Sequence, residues 1–177
     1  MRQNSLRHSL MNRTRDLHRR LDQGLGEFAA PQDYHAYLRG SFAFRTALEA
    51  VLPLAQGWPM LALSQSLRAD LGDLDLDPPE PPRAPELAAT HSALAGALYV
   101  IEGSALGARV LQRRAQALGF GPDHGARHLD LQTRDRARWP QFLAWLESQP
   151  ADEDQAVASA NAVFALALAA HGLDLPT

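Results

Sequence analysis

The segment from about Pro85 to Leu118 reads as one long helix, yet it carries glycines at positions 96, 103 and 107. A glycine inside a helix costs roughly 1 kcal/mol relative to alanine, so this segment needs a reason for its glycines. At about 100° per residue, the three fall within roughly 40° of one another on the helix circumference. The chain must therefore fold round a long helix with a bare stripe. Either another backbone or a flat ligand can come very close to such a stripe. Small residues three, four or seven apart let two helices pack closely, and the same bare surface admits a ligand. The residues alone leave these two readings even. Ser104 adds a hydroxyl beside the stripe. Tyr99, one turn before Gly103, adds a phenol that seeks a polar partner.

The rest of the chain has helical rather than strand periodicity, and valine and isoleucine are scarce. A first helix is expected from an N-cap at Asn4 or Ser5 to about Gly24, with Leu6, Leu10, Leu17, Leu21 and Leu25 on one face. Pro31 opens a second helix that ends before Pro53, with Tyr34, Leu38, Phe42, Arg45 and Leu48 in register. A shorter helix spans roughly Leu63–Leu71. Residues 75–85 hold five prolines and several acids, which predicts an extended loop inside one domain. Gly119 stops the glycine-bearing helix, with Pro122 beyond it. Further helices are expected over Asp135–Glu147, with Trp139, Phe142 and Trp145 on one side, and over Asp152–Ala170, closing at Gly172. The sum is an all-α, single-domain chain, residues 1–177, of about six helices.

Bulk properties narrow the function. With 46% hydrophobic and 21% charged residues, the composition is that of a globular protein. A formal charge of −3 is too small to argue for a nucleic-acid partner. The absence of cysteine excludes disulfides, thiolate metal sites and cysteine nucleophiles. Met1 leads into Arg-Gln-Asn-Ser, unlike a signal peptide, and the apolar run 162–170 is too short to span a bilayer. The expectation is a cytoplasmic protein with no membrane partner, and a monomer by default.

One imidazole suggests chemistry. His18 lies at the edge of the leucine stripe of the first helix, and Asp22 follows one turn later. A metal-ligating imidazole commonly gives its other N–H to a carboxylate, which fixes the tautomer and strengthens the ligand. The plainer reading is an exposed histidine beside a solvated aspartate. A lone ligand argues against bare zinc or di-iron, which need several His or carboxylate ligands. A single histidine plus a flat, side-chain-free surface suits a planar metallocofactor that brings its own equatorial ligands, with haem the obvious candidate.

These residues resemble a known family. Leu98-Tyr-Val-Ile-Glu-Gly-Ser-Ala-Leu-Gly-Ala108 is similar to the distal helix of bacterial, biliverdin-producing heme oxygenases. Thr14-x-x-Leu17-His18-x-x-Leu21-Asp22 resembles their proximal helix. Tyr34-x-x-Tyr37-Leu38, Leu67-x-x-Asp70-Leu71-x-x-Leu74, Trp139-x-x-Phe142 and the alanine-rich last helix with Phe164 follow in the family's order. The resemblance covers nearly the whole chain, and its distal motif is the more specific part.

The resemblance implies a heme oxygenase-like fold that holds haem b, both substrate and cofactor, between a proximal and a distal helix. It implies oxidation of haem at a meso carbon to biliverdin, carbon monoxide and iron. Oxygen and electrons from an external reductase or ferredoxin-like donor drive the reaction. His18 becomes the axial iron ligand and Asp22 its partner. Gly103, Ser104 and Gly107 form the catalytic distal wall, and Tyr99 and Phe164 join the haem-binding residues, with Tyr99 a donor to a propionate. Two positions depart from the family. Met11 stands where several relatives carry a basic residue that faces a propionate, and Arg7, Arg13 or Arg15 could substitute for it. Ala105 stands where relatives can carry a larger or polar residue. These departures keep a haem carrier or sensor of the same fold as an alternative. Arg109, Arg113 and Arg114 are read as solvated surface, or as a basic patch for an acidic electron donor.

Overall fold

Local chemistry fixes where four of the described helices begin. In the computed structural model, Ser5 Oγ accepts from His8 N, Thr90 Oγ1 from Ala93 N, and Asp152 Oδ1 from Gln155 N. Each is a side-chain cap on an otherwise unpaired helix donor. Pro31 opens its helix at a position where no N–H is needed. The structure describes residues 5–52 and 57–176. Asn4 and Pro53, both used above as sequence markers, lie outside them.

The described residues form eight α-helices: α1 Leu6–Arg13, α2 Arg15–Leu25, α3 Pro31–Glu49, α4 Ser64–Asp73, α5 His91–Ala117, α6 Arg127–Thr133, α7 Arg138–Ser148 and α8 Glu153–Ala170. The all-α expectation holds, with three changes. The expected first helix is two, because Thr14 leaves helical geometry (φ −110°, ψ 1°). Its hydroxyl and its N–H both bond to the Leu10 carbonyl, at 2.8 and 3.1 Å. Such local side-chain bonding competes with helix continuation. The glycine-bearing helix starts at His91 rather than Pro85, so the extended stretch after α4 runs on to the Thr90 cap. Finally, α6 lies between Pro122 and Asp135, a stretch to which the sequence reading assigned no element.

Small residues bring α5 and α8 together along their lengths. Ser159 Oγ donates to the Ala93 carbonyl at 2.6 Å, which requires close backbones. An ideal Cβ on Gly96 would lie 1.9 Å from the Ala156 carbonyl oxygen. Gly96 therefore serves helix packing, so of the two readings left even for the stripe, packing holds at this end. Leu98, Val100 and Ile101 of α5 join Val157, Ala160, Val163 and Phe164 of α8 in one buried cluster. A second cluster forms where Tyr34, Leu38 and Phe42 of α3 meet Leu67 and Leu71 of α4 and Leu129 of α6. By length and composition α5 could also cross a membrane, although half of its apolar window is buried inside this fold. The sequence reading had found no segment of that kind.

Candidate active site

Beyond its packed end, α5 turns its bare stripe toward a cavity. An added Cβ at Gly103 would sit 3.6 Å from the Trp139 ring, and one at Gly107 would meet nothing within 4 Å. Both glycines line a cavity of about 400 Å³, inside the range of about 300–1,000 Å³ usual for small-ligand sites. His18, Asp22, Tyr99, Ser104 and Phe164 line it too. The seven residues singled out from sequence therefore share one cavity.

The walls are largely apolar. Leu21 and Leu25 of α2, Leu63 and Leu67 around α4, and Val100 and Ala108 of α5 contribute. At the mouth, Met11, Leu106 and Val110 are apolar side chains left substantially exposed. Exposed apolar side chains clustered at one opening mark a ligand groove better than they mark ordinary surface.

His18 stands at this mouth with its side chain 62% exposed. Its Nε2 lies 3.5 Å from Asp22 Oδ2, and its ring packs on Phe164 with centroids 5.7 Å apart and 39° between planes. Tyr99 is half-buried beside Trp139, with centroids 5.9 Å apart. Burial pushes its phenol up, while nearby Arg7 pulls the other way. Arg13 is already bound to Asp154 at 2.6 Å, and Arg15 to Asn12 at 2.6 Å. Of the three arginines offered in place of Met11, Arg7 is thus the one beside Tyr99.

Ser104 Oγ donates to the Ile101 carbonyl at 2.5 Å and accepts from Gln132 Nε2 at 2.6 Å. Its proton is committed to its own helix, so what it offers the cavity is oxygen. Gln132 reaches it from α6, a helix held in place by Asp70. That carboxylate is fully buried and accepts from Arg127 N, His128 N and His128 Nδ1 at 3.0, 3.0 and 2.7 Å. A carboxylate across the first turn of α6 satisfies donors that would otherwise be unpaired. Burial pulls the His128 imidazole down, opposed by Asp70. A neutral His128 with its Nδ1–H on Asp70 leaves Nε2 to accept from the Tyr37 hydroxyl, 3.3 Å away. Burial drives the Tyr37 phenol up to about 12. Tyr37 also stacks on His171, with centroids 6.1 Å apart.

Tyr37, Ser41, Arg45, His128, Gln132 and His171 all line the cavity without having been singled out as site residues. Arg45 carried the clearest signal, a charge in register with the apolar face of α3. Arg114 is a correction: it lines the cavity and donates to the Gly26 carbonyl at 2.6 Å, whereas sequence placed it on solvated surface.

A helical shell round an apolar cavity, with a few convergent polar groups, is the build of a small-ligand enzyme. No family model matches the chain. A curated heme oxygenase of Xanthomonas campestris pv. campestris is 34% identical over 134 residues, covering 74% of this chain and 80% of the relative. Heme oxygenase PigA of Pseudomonas aeruginosa is 32% identical over 153 residues, covering 80% and 77%. The structure of the NO- and CO-bound heme oxygenase from Neisseria meningitidis superposes with a TM-score of 0.76 at 26% identity, covering 99% of this chain and 96% of that one. The chain belongs to the heme oxygenase family and is an enzyme of that type. The carrier or sensor alternative finds no relative among these.

Proposed function

We propose that this chain cleaves haem b oxidatively to biliverdin, carbon monoxide and iron, using oxygen and electrons from an external reductase or ferredoxin-like donor. The observation that carries the reading is one cavity that gathers His18 and Asp22 from α2, Tyr99, Gly103, Ser104 and Gly107 from α5, and Phe164 from α8. The residues present fit the group. Porphyrin faces need apolar walls, iron needs an accessible imidazole, and a flat ring needs a surface free of side chains. Leu21 and Leu25, the exposed His18, and the open space at Gly107 meet these needs in turn.

Bound haem supplies the iron, its four equatorial ligands and the carbon framework that is oxidised. The chain supplies the rest. His18 would hold the iron, and Asp22 would take the second imidazole N–H, fixing the tautomer. Phe164 limits rotation of that imidazole by packing on its face. Gly103 and Gly107 keep side chains out of the space that a flat ring would need. Ser104, fixed by Gln132, keeps one oxygen lone pair for a group in that space. Tyr99, with Arg7 beside it, is placed to meet a haem carboxylate. The reading extends to one helical domain over residues 1–177, working as a monomer in the cytoplasm.

The test is turnover. The haem complex, given ascorbate in air, is expected to lose its Soret band while the biliverdin absorbance rises and carbon monoxide is released. Bleaching without biliverdin, or an unchanged haem spectrum, would contradict the proposal.

A further inference from the structure

Arg45 is a buried cation in a largely apolar wall. It is 5% exposed and lines the cavity from α3. Its Nε donates to Glu49 Oε1 at 2.9 Å and its Nη2 to the Leu61 carbonyl. No described residue accepts from its Nη1, and the space beside this buried side chain is the cavity. A small recess of about 10 Å³ adjoins it, walled by Arg45, Gln132, Arg138 and Glu102. That volume holds about one water, and the Glu102 carboxylate would repel an anion there. The larger cavity is the place for one.

Glu49 does not cancel this charge. The Glu49 carboxylate also accepts from Leu63 N at 2.7 Å and Ser64 N at 3.1 Å, so part of its charge is spent on the first turn of α4. Of the other ionic groups lining the cavity, Asp22 is beside His18 and Arg114 is turned to the Gly26 carbonyl. Both arginines keep N–H groups without an acceptor among the described residues, but Arg114 is only half-buried, and Arg45 is the cation held inside the buried wall. A guanidinium fork with one free edge in a low-dielectric wall favours an anionic acceptor over water.

We propose that Arg45 forms an anion-recognition site inside the cavity, with Nη1 as the donor. The ligand is an oxygen- or halide-type anion: a carboxylate of haem itself or a small anion on the iron. The proposal rests on the reading of the cavity as a haem site, and its test separates the two. Fluoride is titrated into the ferric haem complexes of the wild type and Arg45→Gln, and haem affinity is measured for both proteins with haem and with haem dimethyl ester.

Loss of a charge-assisted hydrogen bond is expected to weaken the anion roughly tenfold or more. A fall in fluoride affinity with haem affinity unchanged places a small anion at Arg45. A fall in haem affinity that vanishes with the dimethyl ester places a haem carboxylate there. If neither changes, the proposal is overturned, while haem binding by the wild type still stands. Should Arg45→Gln fail to fold, Arg45→Lys keeps the charge beside Glu49 but has no second nitrogen for the cavity. The same loss is expected of it, and an unchanged fluoride and haem affinity would again overturn the proposal.

Discussion

Gly96 and Ala156 define how closely the two longest-packed helices meet: a methyl on residue 96 would lie 1.9 Å from the Ala156 carbonyl oxygen. Eleven residues further on the same face, the position of a methyl on Gly107 is empty space. The two glycines therefore predict opposite outcomes. Gly96→Ala must push two backbones apart and is expected to cost about 3 kcal/mol, the upper part of the usual overpacking range. That corresponds to a fall in melting temperature of about 6–12 °C for a chain of this size. Gly107→Ala is expected to leave the fold as stable or gain about 0.5–1 kcal/mol from better helix propensity, while weakening haem binding by narrowing the cavity. Thermal melts and haem titrations of both variants read this, and equal destabilisation of the two would refute the division.

Acid is expected to weaken the fold through His171. This imidazole packs where a Cβ on Gly40 would lie 2.2 Å from its Nδ1, and desolvation holds it down to about 4. An unfolded histidine titrates near 6.5, so between these values the unfolded chain binds the extra proton. The contribution is complete above about pH 6.5 and is lost as the pH falls toward 4. At about 1.4 kcal/mol per unit it amounts to at most about 3 kcal/mol. Urea melts across this range are expected to show the wild type losing stability relative to His171→Phe as the pH falls. Parallel curves would remove His171 from the account.

Asp70 is expected to be the anchor of α6. Replacing it with alanine leaves the Arg127 and His128 amides and the His128 ring without their buried acceptor, and removes the ion-pair partner of Arg127. Breaking one side of such a buried charged cluster costs about 3–5 kcal/mol. Amide exchange should rise first across Arg127–Thr133, and the Gln132 bond to Ser104 should go with it. Exchange that stays slow there would show that α6 is held by other contacts.

A buried salt cluster makes a further prediction about the turn before the site. Glu102, next to Gly103, accepts from Arg138 Nε and Nη2, both at 2.7 Å, and from Trp58 Nε1 at 3.0 Å. Arg138→Ala is expected to destabilise the fold by about 3 kcal/mol by leaving that carboxylate without its charged partner. The loss should be smaller in Glu102→Gln, where the charge left without its partner is that of Arg138, which is 20% exposed against 4% for Glu102 and still bonded to the Pro59 carbonyl. A denaturant series on both variants reads the order, and the reverse order would contradict it.

How much of this was legible in the sequence follows from which forces are local. The caps at Ser5 and Asp152 and the proline at 31 act over three or four residues, so the helices they begin were readable. The break at Thr14 was not, because threonine is acceptable within a helix and only its bond to Leu10 tips the balance. Nor was α6, which is seven residues long and takes its first-turn acceptor from Asp70, more than fifty residues away. The same distance effect divides the site. His18 and the glycines of α5 announce themselves by type and spacing. Gln132, His128 and Arg45 become site residues only when α3, α4 and α6 close round the cavity. The glycine stripe could not be resolved from sequence because it does both things, packing at Gly96 and clearance at Gly107.

The central claim is that His18 holds haem iron at the mouth of this cavity, and the Soret spectrum of the ferric haem complex of His18→Ala tests it most directly. The account predicts that the variant stays folded, since the His18 side chain is largely exposed. It also predicts that the variant loses the wild-type spectrum, and that added imidazole restores it. A His18→Ala complex with an unchanged Soret band would contradict the account.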